Sequence, residues 1–198
     1  MPMTPAQLIK GRAKQNPPLR QAIVADARAA AASLAITPVK NSRWNDFLLV
    51  MRMIWEADAF LALILIRAAI ALRALGIPVL PMILRRVSIV MTQVHIGAPV
   101  IIGPGFCLPH GQVVVDGIVE IGSNVTIRPF VTIGLVDGEY VGPTIGSRTT
   151  IGTGAKVLGP IKIGQRVSIC ANAVVVKDVA DDMVVVGVPG KPRPRKQD

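Results

Sequence analysis

Aromatic side chains are scarce in this chain: they make up 4% of its 198 residues, while 51% are hydrophobic. A core built almost without rings must come from Val, Ile, Leu and Ala, which suits regular stacked layers better than an irregular globule. One Tyr and four Phe offer few stacking platforms, and the basic residues are dispersed. No nucleic-acid motif occurs, so no nucleic-acid partner is expected. Histidine is scarcer still. His95 and His110 are the only two, at the wrong spacing for a three-histidine zinc site, and no metal is expected. The two cysteines, Cys107 and Cys170, form no CxxC pair and imply no disulfide framework. They read as small packing residues in a reducing, cytoplasmic compartment.

Long uncharged apolar runs are also missing. Within Asn45–Gly76 the longest uncharged runs, Ala59–Ile66 and Ala68–Leu72, are cut by Arg67 and Arg73, whereas a bilayer-spanning helix needs about 20 apolar residues. The first twenty residues lack the apolar core of a secretory signal. Acidic residues are outnumbered 12 to 22, giving a formal charge of +10. Such an excess reads first as a basic, solvated surface with a basic tail, and next as attraction to an anionic partner, either a phosphorylated cofactor or an acidic membrane surface.

What the chain does have is glycine and proline, 18 and 16 residues, set inside periodic apolar sequence rather than in polar tracts. They mark turns. Residues 1–91 form an N-terminal helical region and connector. Gln21–Ile36 reads as a short helix stopped by Pro38. Asn45–Gly76 is the strongest helical stretch, with Asn45 or Asp46 as its cap, Arg52 and Glu56 at i,i+4, and Gly76 ahead of Pro78 at its end. It reads as a helix packed on its own protein or on oligomer partners. The other reading is a helix on a membrane surface, within residues 45–91, with Arg67, Arg73, Arg85 and Arg86 toward headgroups at the inner membrane face. Ile77–Met91 is a Pro-punctuated connector.

From Thr92 onward the chain counts in sixes. Aliphatic residues recur at Ile121, Ile127, Ile133, Ile145, Ile151, Val157, Ile163, Ile169 and Val175, with Gly following at 122, 134, 146, 152 and 164. Two positions before the anchors stand small or aliphatic residues such as Val125, Ala155, Val167 and Ala173. Ile96, Ile102, Leu108 and Val114 keep the step in another phase, so one extra residue is expected near Asp116–Gly117. A hexapeptide period signals a parallel β-helix. Three six-residue units close one triangular coil, and coils stack about 4.8 Å apart through parallel hydrogen bonds. The anchors should point inward, and the glycines after them should turn the corners, where positive φ or close backbone approach is cheap only for Gly. Residues 92–198 are thus read as one such column with a basic tail, and the protein as mainly β with an N-terminal α-helical region. Between Ile133 and Ile145, Glu139 stands where an anchor belongs. Gly134–Thr144 should therefore bulge outward, and breaks in a solenoid are where function concentrates.

The stretches "HIGAPVIIGPGFCLPHG", "IGSNVTIRPFVTIG", "IGTGAKVLGPIKIG" and "VVVKDVADDMVVVGVPGKPRP" resemble the left-handed parallel β-helix of the hexapeptide acyltransferases. Within that family they are most similar to the serine acetyltransferase-like branch, which includes polysaccharide O-acetyltransferases. The resemblance covers about the last 120 residues and implies an acetyl-CoA-dependent O-acetyltransferase. It also implies homotrimers, with pairing into hexamers open, and acyl-CoA lying in the clefts between prisms. His110 matches the family's general base, and its chemistry fits. A neutral imidazole can take the proton of an alcohol as the alcohol attacks a thioester. His110 falls two residues after an anchor, at a turn, and should project outward. His95 matches a second histidine of the family. The resemblance points to Thr153, Gly154, Ala155 and Ala171 beside the pantetheine, and to Lys177 and Lys191, with Arg193 behind them, near the phosphates.

Departures from the family's pattern matter for the acceptor. Gln93 is read at the place of a carboxylate that partners the catalytic imidazole. Gln93 orients it, or Asp116, Asp137 or Glu139 substitutes. Pro109 precedes His110 where serine enzymes carry Asp, and Gly142–Pro143 replaces a His-Pro pair. These changes shift the expected acceptor to a saccharide or glycan precursor, with serine as the alternative.

Overall fold

The computed structural model describes residues 5–36 and 42–194; Pro38, the expected helix stop, lies outside them. Five helices precede the column. They are α1 (Pro5–Ala13), α2 (Leu19–Ser33), α3 (Arg43–Glu56), α4 (Phe60–Leu75) and α5 (Leu80–Thr92). The single expected helix over Gln21–Ile36 is α2, and α1 was not anticipated. The stretch expected as one helix from Asn45 is two, broken at Ala57–Ala59. Ser42, rather than Asn45 or Asp46, caps α3, its hydroxyl accepting the Asn45 N–H at 3.1 Å. Gly76 ends α4 in the left-handed conformation, φ 86°, and the connector after it is helical.

The column is the expected left-handed parallel β-helix. Its first face holds β1 (Val94–Ile96), β3 (Val113–Val115), β6 (Thr132–Gly134), β9 (Lys156–Leu158) and β12 (Val174–Val175). The second holds β2 (Ile101–Ile102), β4 (Ile118–Ile121), β7 (Val141–Ile145) and β10 (Lys162–Ile163). The third holds β5 (Thr126–Ile127), β8 (Thr150–Ile151), β11 (Ser168–Ile169) and β13 (Met183–Val186), closed by the antiparallel β14 (Lys191–Pro194). Register gives the coil length directly. Thr150 sits beside Ser168 and Lys156 beside Val174, eighteen residues on, or three hexapeptides.

Two coils depart from eighteen. Thr132 pairs with Lys156, twenty-four residues on, so one whole hexapeptide leaves the column at the expected bulge. Val136 to Val141 are exposed there. In the first coil Ile96 pairs with Val115, nineteen residues on. Val115 is fully buried and Val114 is 40% exposed. The fourth early anchor is therefore Val115, and the extra residue lies between Leu108 and Val115, not at Asp116–Gly117. It falls in the turn that carries His110.

The other anchors are all buried, none more than 4% exposed. For most of the glycines behind them, close backbone approach is the reason that holds, not positive φ. Gly122, Gly146, Gly152 and Gly164 keep ordinary φ, but a Cβ on Gly152 would stand 2.6 Å from the Ala171 nitrogen in the next coil, and one on Gly122 2.7 Å from the Ser147 nitrogen. Glycine is needed there because successive backbones approach too closely for a side chain. Positive φ occurs elsewhere in the turns, at Asn124, Arg148, Arg166 and Asp182 on one corner and at Gln112, Phe130, Gly154 and Asn172 on another.

The helices close the open end of the column, where the first coil has no neighbour to pair with. Asn16 accepts the Ile102 N–H at 2.9 Å, and Arg12 donates to the Pro99 and Val119 carbonyls at 2.6 and 3.0 Å. Arg67, 3% exposed, donates to the Ile102 and Gly103 carbonyls, each at 2.7 Å, and forms a two-pronged pair with Asp26 at 2.8 and 3.1 Å. Asp26 also accepts the Phe106 N–H at 2.8 Å. Burial pushes the Asp26 carboxyl up from its usual range, and Arg67 and the Phe106 N–H pull against it. Arg67 is thus an internal clamp, not the headgroup contact the sequence suggested. Cys107 is buried, and that burial raises its thiol pKa above the usual value. Among the described residues no helix is long and apolar enough to cross a membrane.

Candidate active site

His110 sits on the corner between the third and first faces, and its side chain is 63% exposed. The turn is pinned to the end of α5. The Gln112 N–H donates to the Thr92 carbonyl at 2.9 Å, and Gly111 is seated so closely on that carbonyl that no side chain fits. His110 Nδ1 lies 2.8 Å from Oδ2 of Asp58. Asp58 stands in the break between α3 and α4, with flanking Ala57 and Ala59 buried and its own side chain 73% exposed. A carboxylate only accepts hydrogen bonds, so this contact places a proton on Nδ1, and in the neutral form of the ring the lone pair is then on Nε2. That is the state a general base requires.

Sequence reasoning did not find Asp58. It lies 52 residues from His110, in a run of good helix formers with no Gly or Pro to announce a break. Gln93, expected to orient the imidazole, is instead the exposed C-terminal residue of α5 at φ 56°, and Asp58 holds the nitrogen. Neither Asp116, Asp137 nor Glu139 takes that place. Asp116 lies against Gly97, and Asp137 and Glu139 are on the exposed loop. His95 is half-buried on β1 beside Val114.

Three of the residues expected along the cofactor share the His110 corner. Phe130 donates its N–H to the Gln112 carbonyl, Gly154 to that of Pro129 and Asn172 to that of Thr153. These bonds stack the His110, Phe130, Thr153–Gly154 and Ala171–Asn172 turns into one ridge along the column. Ala155 is different. It is fully buried, its methyl inside the prism, and it cannot line a ligand. Lys191 is exposed on β14 next to Gly190, whose N–H reaches the Val174 carbonyl near the top of this ridge. Lys177 is exposed after β12, on the next corner round. A cavity of about 760 Å³ between α2 and the Asn124 turn does not include His110. On one chain His110 stands on an open edge.

Known proteins with this build confirm the column and name its kind. A family model described as "Bacterial transferase hexapeptide (six repeats)" matches residues 142–177. A serine acetyltransferase of Mycobacterium tuberculosis is 49% identical over 106 residues, covering 52% of this chain and 46% of the relative. One from Synechococcus elongatus is 40% identical over 136 residues, covering 67% and 55%. The crystal structure of the Brucella abortus serine acetyltransferase in complex with coenzyme A superposes with a TM-score of 0.77 at 26% identity, over 96% of this chain and 74% of that one. The chain is similar to serine acetyltransferases and carries a match to the bacterial hexapeptide transferases. It spans about half the length of the curated relatives it matches. The Brucella superposition covers 96% of this chain, so it takes in helices as well as the column.

Proposed function

We propose that the protein is an acetyl-CoA-dependent O-acetyltransferase in which His110, held by Asp58, is the general base and serine is the acceptor. The observation that carries this reading is the 2.8 Å contact between His110 Nδ1 and the Asp58 carboxylate on an exposed ridge. Nε2 takes the hydroxyl proton as the acceptor oxygen attacks the thioester carbonyl. The tetrahedral intermediate then collapses, the C–S bond breaks, and the imidazolium returns the proton to the departing sulfur. Asp58 fixes the tautomer and opposes the charge that the ring gains.

Relatives named serine acetyltransferase, one of them solved with coenzyme A, support the donor and move the acceptor from saccharide toward serine. The Asp58 carboxylate, beside the base, is also suited to an amino acid's ammonium group. The ridge from His110 through Phe130 and Thr153–Gly154 to Ala171 would carry the coenzyme's arm, with Lys191 above it and Lys177 reached from the neighbouring corner. A trimer would turn this open edge into a cleft, and α5 offers an apolar face for assembly, with Leu80, Met82, Ile83, Val87 and Val90 exposed beside the first coil. A saccharide acceptor remains the second reading, favoured by Pro109 next to the base. Gly142–Pro143 is buried, so this pair cannot hold an amino acid either way.

The test is thiol release from acetyl-CoA with serine, nucleotide sugars and oligosaccharides offered in turn. Serine should be the acceptor that raises it, and His110→Ala should lower kcat at least about a hundredfold while leaving the fold intact. An unchanged rate in the variant removes the base assignment, and stimulation by a sugar alone reverses the acceptor.

A further inference from the structure

The helix α3 is apolar on two sides. Its inner side, with Met53 fully buried, packs mainly on α2. Its outer side exposes Trp44, Phe47, Leu48, Met51 and Trp55, at 66, 52, 47, 49 and 92%. These fall at i, i+3, i+4, i+7 and i+11, one continuous stripe. Both tryptophans of the chain are on it, and Trp44 stacks on Phe47 with ring centroids 5.7 Å apart. Such a stripe is not neutral surface, and it has to be covered.

The charge around it indicates by what. Residues 1–91 hold 12 of the 22 Lys and Arg but 4 of the 12 Asp and Glu, so nearly all of the +10 sits on the helical side. Two of those acids flank the stripe already paired, Asp46 with Arg28 at 2.7 Å and Glu56 with Arg52 at 2.9 Å. A cleft of about 320 Å³ opens between α2 and α3, lined by apolar Leu19, Ile23, Phe47 and Val50, by Arg20 and Arg43, and by Asp46, whose charge Arg28 already offsets. An apolar lining with guanidinium groups matches a phosphate headgroup and its acyl chain. Tryptophan and phenylalanine with arginine at the border form the composition that settles at a bilayer interface.

We propose that the outer face of α3, with the α2–α3 cleft, docks the protein on an anionic phospholipid surface. The face is separate from the apolar face of α5 beside the column, so lipid docking and assembly do not compete for the same residues. Basic groups near an anionic surface add attraction that salt weakens, while the aromatic stripe supplies the apolar part.

Because the only two tryptophans are both on this face, their fluorescence reports it without a label. The full chain is mixed with vesicles of phosphatidylcholine alone, or of phosphatidylcholine with phosphatidylglycerol. With the anionic vesicles alone, emission should shift to the blue and the protein should sediment with the lipid, less so at high salt. A Trp44→Ser, Trp55→Ser double variant, changed at exposed positions and checked for folding by circular dichroism, should partition at least roughly tenfold less. Equal sedimentation of the variant, or no shift with anionic vesicles, overturns the proposal. So does a blue shift that follows protein concentration without vesicles and accompanies a larger assembly of the unaltered chain than of the variant, because the face then binds a second copy. Serine-dependent CoA release measured without vesicles tests the proposed activity separately, and either reading can fail alone.

Discussion

In the proposed mechanism two exposed side chains decide the chemistry, and exposure sets how much each matters. There His110 carries the proton, so losing it would remove a catalytic step. Asp58 acts through it. In buried triads, replacing the carboxylate by its amide costs about 10⁴ in rate, but here both partners are more than 60% exposed, and solvent screens much of the charge term. Asp58→Asn should therefore lower kcat by about tenfold to a hundredfold, less than His110→Ala, with the melting temperature unchanged. Steady-state kinetics beside a thermal melt checks both halves. His110 could be singled out from the sequence because it matches the general base of the family the chain resembles and because the sixes place it outside the column. Asp58 could not. Nothing local in Glu56–Phe60 breaks a helix; the break comes from burying Ala57, Ala59 and Phe60 together, a tertiary preference that overrides good helix formers.

Among the elements, the strands were the legible part. A six-residue period survives in the sequence because each anchor meets the same environment, one coil above and one below. The two irregular coils were visible too, though one was misplaced by a few residues, since Val113, Val114 and Val115 are identical as letters and only the register tells which faces inward. The helices were less legible because their decisive contacts are polar and distant. Arg67 looked like a surface charge in an apolar helix, yet it reaches Asp26 and two carbonyls of the first coil. Truncating one partner of a buried pair leaves the other charge stranded, at a cost of about 3–5 kcal/mol. Arg67→Ala should thus destabilise the fold by that amount in a denaturant titration, whereas Arg52→Ala, which breaks an exposed pair, should change it by less than about 1 kcal/mol. If the two variants melt alike, the clamp is not what holds helices to column.

For the whole molecule, the proposed base on an exposed edge, with its side chain 63% exposed, calls for a neighbour to complete its groove. Light scattering should give the mass of three 21.0 kDa chains or a multiple of three. Val87→Asp together with Val90→Asp, both exposed on α5, should shift that mass down and reduce acetyl transfer along with it. A monomer of full activity would show that the ridge works unaided.

The base and its carboxylate partner belong to different layers: one is wound into the column, the other hangs from the helices that plug its lower end. Warmth or a protease that loosened those helices would part Asp58 from His110 while the column still stood, so loss of the proposed turnover should come before loss of the β signal.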